Sequence, residues 1–219
     1  QYISFLEDLN ESYNDSKAYP LALRTLSNLH PTSEEIKTFS LELQPYKRIN
    51  KEFFNLTGCF LSALVNNSYD SNFKIITEHL DTLLDGMGYK NKKNVKIIGS
   101  VGSSLGTNMK SGSLKVSGNA QYSVGDLMHN GTIIIEGNAE DVIGTYMNGG
   151  TIFIEGDCGD EIGSFMRKGL IIINGNAGNK IGPYMEGGKI VINGTFNKKY
   201  ICLSCKGEIY HKGKRVLRE

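Results

Sequence analysis

From Val95 onward the chain is written in short bursts of alternating apolar and polar residues, each fenced by glycine. Thr132-Ile133-Ile134-Ile135-Glu136 is the clearest burst, and the pairs Ile152/Ile154, Ile171/Ile173 and Ile190/Ile192 mark its copies. Alternation at period two predicts a strand with one face buried. The copies are spaced by 19 residues, and glycine then falls on glycine. Gly99, Gly118, Gly137, Gly156, Gly175, Gly194 and Gly213 form one column. Gly106, Gly125, Gly144, Gly163 and Gly182 form a second, and Gly112, Gly131, Gly150, Gly169, Gly188 and Gly207 a third. Met109, Met128, Met147, Met166 and Met185 run between them. A unit this short cannot be a helical-pair repeat, which needs roughly 33 residues or more. Each strand finds its partner one coil away, in parallel register. The pattern predicts a mainly β fold over 95–213: a right-handed, single-stranded parallel β-helix of about six coils, about 30 Å tall at roughly 4.8 Å per coil.

The columns have sides. Ile133 and Ile135 and their copies point inward, with the methionines and the Val124, Ile143, Ile162, Ile181 column filling the rest of the interior. The residue between each inward pair must then face out, and it reads Lys115, Ile134, Phe153, Ile172, Val191 and Tyr210 in successive coils. Four consecutive apolar residues on an outer wall are expected to be covered by a protein partner, a second copy or the chain's own helices. Asn119, Asn138, Asp157 and Asn176 follow the strand-ending glycine and suit turns with stacked amides. The seven glycines of the first column read as structural turns, giving sharp corners and close backbone approach. A β-branched residue at Gly156 is expected to cost about 1–3 kcal/mol if the backbone there is left-handed.

Residues 1–90 carry few glycines and predict a mainly helical N-terminal region that covers the open end of the coils. Ser71 or Asn72 caps one expected helix, with Phe73, Ile76, Leu80, Leu83 and Leu84 at helical spacing and Gly86 or Gly88 as its stop. A second runs from Ile49 to Val65 with Phe53, Leu56, Phe60, Leu61 and Leu64 on one face. Pro31-Thr32-Ser33-Glu34-Glu35 has the form of a helix start, although Phe39–Leu43 alternates like a strand. Residues 214–219 form a basic tail.

Composition narrows the chemistry. A formal charge of +1 supplies no field for nucleic acid, and no apolar run reaches the roughly 20 residues of a membrane helix. The N-terminus has no leader pattern and the cysteines are sparse, which points to a reduced, cytoplasmic setting. Cys202 and Cys205 have metal-ligand spacing, with His211 nearby. Two thiolates are half of a zinc set, so packing is the expected role and no metal is expected to be tightly held. The phosphate-loop look of Gly99–Gly106 recurs in later coils and is not followed by a helix, so it belongs to the repeat. His30, His79, His129 and His211 have no nucleophilic or acidic partner in sequence, so no catalytic residue and no cofactor are assigned.

The recurring G-x-x-G-x-x-x-G with its G-x-I-x-I-x-G strand resembles the GXGXG β-helix family over residues 95–213, with Gln121, Glu140 and Asn197 replacing the second glycine in three coils. Its members include the C-terminal domain of the glutamate synthase large subunit and a β-helix subunit of formylmethanofuran dehydrogenase. The resemblance implies a non-catalytic scaffold that organises separately encoded catalytic subunits for glutamate synthesis from glutamine and 2-oxoglutarate. Alternatives are a subunit of a formylmethanofuran dehydrogenase-like complex, or an enzyme with a site between the helical region and the β-helix.

Overall fold

The computed structural model describes residues 15–43, 52–197, 201–202 and 206–216. Among the described residues three helices come first: α1 (Asp15–Thr25), α2 (Ser33–Leu41) and α3 (Glu52–Asn67). Nine strands follow: β1 (Asn72–Ile76), β2 (Asn94–Ile98), β3 (Ser113–Val116), β4 (Thr132–Ile135), β5 (Asn148–Ile154), β6 (Lys168–Ile173), β7 (Lys189–Ile192), β8 (Glu208–His211) and β9 (Lys214–Arg215). They form one sheet in chain order. Every pair from β1 to β8 is parallel, so the chain is a β-solenoid of seven coils. β9 turns back antiparallel on β8 through Lys212 and Gly213, both left-handed at φ 48° and 77°. Two further walls are single parallel bridges, one along Val101, Ala120, Ala139, Cys158 and Ala177, the other along Val124, Ile143, Ile162, Ile181 and Ile201.

The expected helix from Ser71 is not formed; its first residues are β1, the floor of an extra coil. Phe73 and Ile75 are buried and Lys74 is exposed. Period two therefore holds here, and pairing with β2 satisfies a backbone that an isolated short helix would leave marginal. Leu80 and Leu84 remain in the core, and Gly86 and Gly88 turn the chain at φ 72° and 73°. The Phe39–Leu43 alternation is also overridden. Residues 39–41 close α2, because Thr32 and Glu35 form a full capping box that starts that helix firmly.

The helices cover the open end. Ser40 of α2 is fully buried; its hydroxyl donates to the Lys37 carbonyl at 2.7 Å and accepts the β1 amide of Ile76 at 3.0 Å. That amide would otherwise be an unpaired sheet edge. In α3, Ser62 Oγ donates to the Gly58 and Gly86 carbonyls and accepts the Gly88 amide at 2.8 Å, tying helix to coil. Leu56, Phe60, Leu61 and Leu64 of α3 join one apolar core with the whole inward column from Phe73 to Ile209.

Coils are bolted together by side-chain oxygens. Asn119 Oδ1 accepts the amide of Asn138 at 2.8 Å, Asn138 Oδ1 that of Asp157 at 2.9 Å, and Asp157 Oδ1 that of Asn176 at 2.6 Å. A second ladder runs beside it: Asp141 Oδ1 accepts Asp160 N, and Asp160 Oδ1 accepts Asn179 N, both at 2.7 Å. Each oxygen lies against the Cα of the glycine that precedes the amide it accepts. A Cβ on Gly156 would strike Asn138 Oδ1, and one on Gly159 would strike Asp141 Oδ1.

The first glycine column is therefore mostly not left-handed. Gly99 and Gly213 have φ of 119° and 77°, but Gly118, Gly137, Gly156, Gly175 and Gly194 do not lie in that region. Their reason is close approach, so the cost at Gly156 comes from the added Cβ itself and not from backbone strain. The same rule accounts for two departures from the pattern. Beneath Glu140 the ladder position is Tyr122, and beneath Gln121 it is Ser103, so neither needs room for a carboxylate.

Gly159→Ala should lower stability by about 1–3 kcal/mol. In an Asp141→Ala background the same change should cost measurably less, because the obstructing oxygen is gone. Urea unfolding of the four variants of this cycle checks it; strictly additive effects would contradict the ladder account.

Candidate functional site

The outer face of the main sheet carries one continuous column. Pairing sets Lys74 on Lys96, Lys96 on Lys115, Lys115 on Ile134, then Phe153, Ile172, Val191 and Tyr210 in unbroken register. The strands present these positions between fully buried inward residues such as Ile133 and Ile135. Ile134, Phe153, Ile172 and Val191 are half-buried, shielded by their stacked neighbours along the column. Charge closes both ends. Lys115 Nζ pairs with Glu136 at 2.8 Å, and Lys189 Nζ sits 4.0 Å above the Tyr210 ring. Along one flank, Asn193 Nδ2 donates to Asn174 Oδ1 and Asn174 Nδ2 to Glu155 Oε2, each at 2.8 Å. An apolar band four coils long thus has a polar rim. Of the described helices, α2 packs on β1, at the end of the stack.

A second feature lies at a corner that sequence reasoning missed. Tyr146, Phe165 and Tyr184 stack in adjacent coils with centroids 4.8 and 4.9 Å apart and planes within 13°. Each precedes a core methionine, and that 19-residue aromatic spacing was the available signal. All three are left-handed, at φ 54°, 54° and 57°, as is Leu127 at 56°. Such a backbone is uncommon for bulky residues. At three of the four it points the amide toward the next coil: Leu127 N donates to Thr145 O at 2.8 Å, and Tyr146 N to Ser164 O and Phe165 N to Pro183 O, both at 2.9 Å. Repetition of that bond offsets the local strain.

Beside the corner stands Asp126. Its Oδ1 and the Thr145 Oγ1 of the next coil are both sealed from solvent without a hydrogen-bond partner. Burial pushes the Asp126 carboxyl up to about 6, against the opposing pull of the Ser123 side chain and the Thr145 amide. A lone acidic residue among repeats gave no sequence signal for this.

The remaining candidates separate. Cys205 lies outside the described residues. Cys202 follows Ile201, the end of the third wall, and its backbone amide donates to Ile181 O at 2.9 Å. The Nε2 of His211 lies 2.9 Å from Gly194 O, and its ring packs edge-on to Phe196 at 5.0 Å. Among the described residues no three metal-binding side chains converge. Cys158 is a buried thiol on the second wall, pushed up to about 12 by burial and then by Asp157 and Asp141, which keeps it protonated. His30 is tied through Nδ1 to Asn67 O at 2.8 Å and lies on the Tyr69 ring, and both ring nitrogens of His79 are buried without a partner. Where α3 meets the first coils, a cavity of about 10 Å³ between Ser62, Val65, Ile75, Met87 and Val95 has room for one water and no ionisable lining. No described helix is long and apolar enough to cross a membrane.

The structure is a parallel β-solenoid with glycine columns repeated from coil to coil. The family model described as GXGXG motif matches residues 47–201, more than two thirds of the chain, and the chain belongs to that family. The match starts well before β1, so it takes in α3 as well as the coils. No curated protein matches the chain.

The raised carboxyl sets a pH dependence. Asp126 is protonated in both states below about pH 4, and its contribution is lost as pH rises through about 6, where the fold must hold a buried charge. Asp126→Asn should therefore stabilise the chain relative to wild type at neutral pH, by up to about 3 kcal/mol, and far less at pH 4. Thermal unfolding at the two pH values checks this; an equal shift at both would contradict it.

Proposed function

We propose that this chain is the non-catalytic solenoid of a glutamate synthase-like assembly, and that it positions separately encoded catalytic subunits through its outer wall. The observation that carries the reading is the stacked band of Ile134, Phe153, Ile172 and Val191, rimmed by charge, on a fold of the GXGXG motif family. A stack of parallel strands is a rigid ruler, since each coil adds the same rise and can be displaced only by breaking a ladder of hydrogen bonds. That suits holding partners at fixed separation. An enzyme built at the junction of helices and coils would need converging ionisable groups, and the cavity there is lined by none. A role in a formylmethanofuran dehydrogenase-like complex would use the same wall with a different partner.

Phe153→Asp with Ile172→Asp should abolish association with the catalytic partner, or self-association, while leaving the melting temperature close to that of wild type. Multi-angle light scattering alongside thermal unfolding reads both quantities. If neither the assembly state nor the melting temperature responds, the wall is ordinary surface and the scaffold reading loses its basis. A large fall in melting temperature with assembly unchanged would instead assign the wall to intramolecular packing.

A further inference from the structure

Four asparagines precede a glycine: Asn130, Asn148, Asn174 and Asn193. Each offers a side-chain amide next to a backbone nitrogen with no Cβ in the way, the arrangement that makes asparagine thermolabile. The solenoid treats the four differently. At Asn174 and Asn193 the following amides are locked into the coil ladder, Gly175 N to Gly156 O and Gly194 N to Gly175 O, both at 3.1 Å. Their side chains are also held, in the Asn193–Asn174–Glu155 chain of hydrogen bonds. Asn148 sits in β5, its Nδ2 donating to Tyr146 O at 3.1 Å and its Oδ1 accepting from Arg167 at 3.5 Å.

Asn130 is the exception. Its side chain is exposed, and the Gly131 amide donates to its own neighbour's Oδ1 at 2.9 Å. The nitrogen that would attack is thus already folded back against the carboxamide it would attack. Gly131 has φ 96° and lies one residue before β4, where ladder bonding resumes with Thr132 N to Gly112 O at 3.0 Å.

The geometry points to Asn130 as a site of spontaneous covalent modification in the folded protein. The Gly131 nitrogen loses its proton and forms a bond to Asn130 Cγ; the Cγ–Nδ2 bond breaks and ammonia leaves. The resulting five-membered succinimide takes up one water and opens to aspartate or to isoaspartate. Either product puts a negative charge at the turn before β4, and isoaspartate adds a methylene to the backbone of that coil. The added methylene falls between two ladder amides, His129 N on Met109 O at 2.9 Å and Thr132 N on Gly112 O at 3.0 Å, and the Gly131 amide between them is turned to Asn130 Oδ1, so the turn absorbs the extra atom and the coils keep their register.

Ageing the intact chain in mildly alkaline buffer at physiological temperature, then mapping peptides by mass spectrometry with an isoaspartate-specific assay, tests this. Asn130 should convert several-fold faster than Asn148, Asn174 or Asn193 in the folded chain. In concentrated urea the four should converge, because the selectivity comes from the fold. The aged protein should retain the melting profile of fresh protein. Conversion of Asn130 at or below the rate of Asn174 and Asn193 would overturn the inference, and so would the same preference for Asn130 in urea, which would assign it to local sequence alone.

Discussion

The solenoid depends on one repeated contact, a side-chain oxygen of one coil accepting a backbone amide of the next across a glycine. Asn119, Asn138 and Asp157 make it along one corner, Asp141 and Asp160 along another. The glycine is required because the oxygen occupies the place of its Cβ. A short polar side chain and a glycine are thus one structural unit split between neighbouring coils. This corner bond fixes register where strands end and the ordinary ladder would fray, and it does so with exposed residues that solvent would otherwise satisfy. The interior follows from it: once register is set, isoleucine stacks on isoleucine and each methionine methyl lies beside a glycine of the coil above, as Met128 Cε does at 2.6 Å from the place a Cβ of Gly150 would occupy.

The same stacking turns a local choice into an extended surface. One outward apolar residue on a strand is ordinary, but four copies in register make a band. The band ends where the sequence changes to Lys115 at one side and to Lys189 over Tyr210 at the other. At the aromatic corner, repetition works against backbone preference: left-handed Tyr146 and Phe165 are held because each amide finds a carbonyl one coil on, and the rings of Tyr146, Phe165 and Tyr184 stack. A local preference is weak against a bond made in every coil.

Most of the fold was legible because the repeat is long and regular. The strand columns, their inward and outward faces, and the helix carrying Phe60 and Leu61 follow from periodicity alone. Residues 72–76 were not legible: Phe73 and Ile76 fit a helical spacing with Leu80, Leu83 and Leu84, and only pairing with β2 decides for a strand. The role of the first glycine column was half legible, since sequence shows that glycine is needed but not whether φ or close approach demands it. Asp126 was invisible, because its burial follows from a corner geometry that a single acidic residue does not announce. The outer band was readable as a face, because the outward position is apolar in four consecutive coils.

The scaffold account stands or falls on which face is covered in the working assembly. Hydroxyl-radical footprinting of the isolated chain and of the chain in the complex purified from its native source measures this directly. The account predicts strong protection of Phe153 and Tyr210 on the outer wall, with Tyr146 and Tyr184 at the aromatic corner as reactive in the complex as in isolation. Equal reactivity of Phe153 in both samples, with protection confined to the aromatic corner, would contradict it.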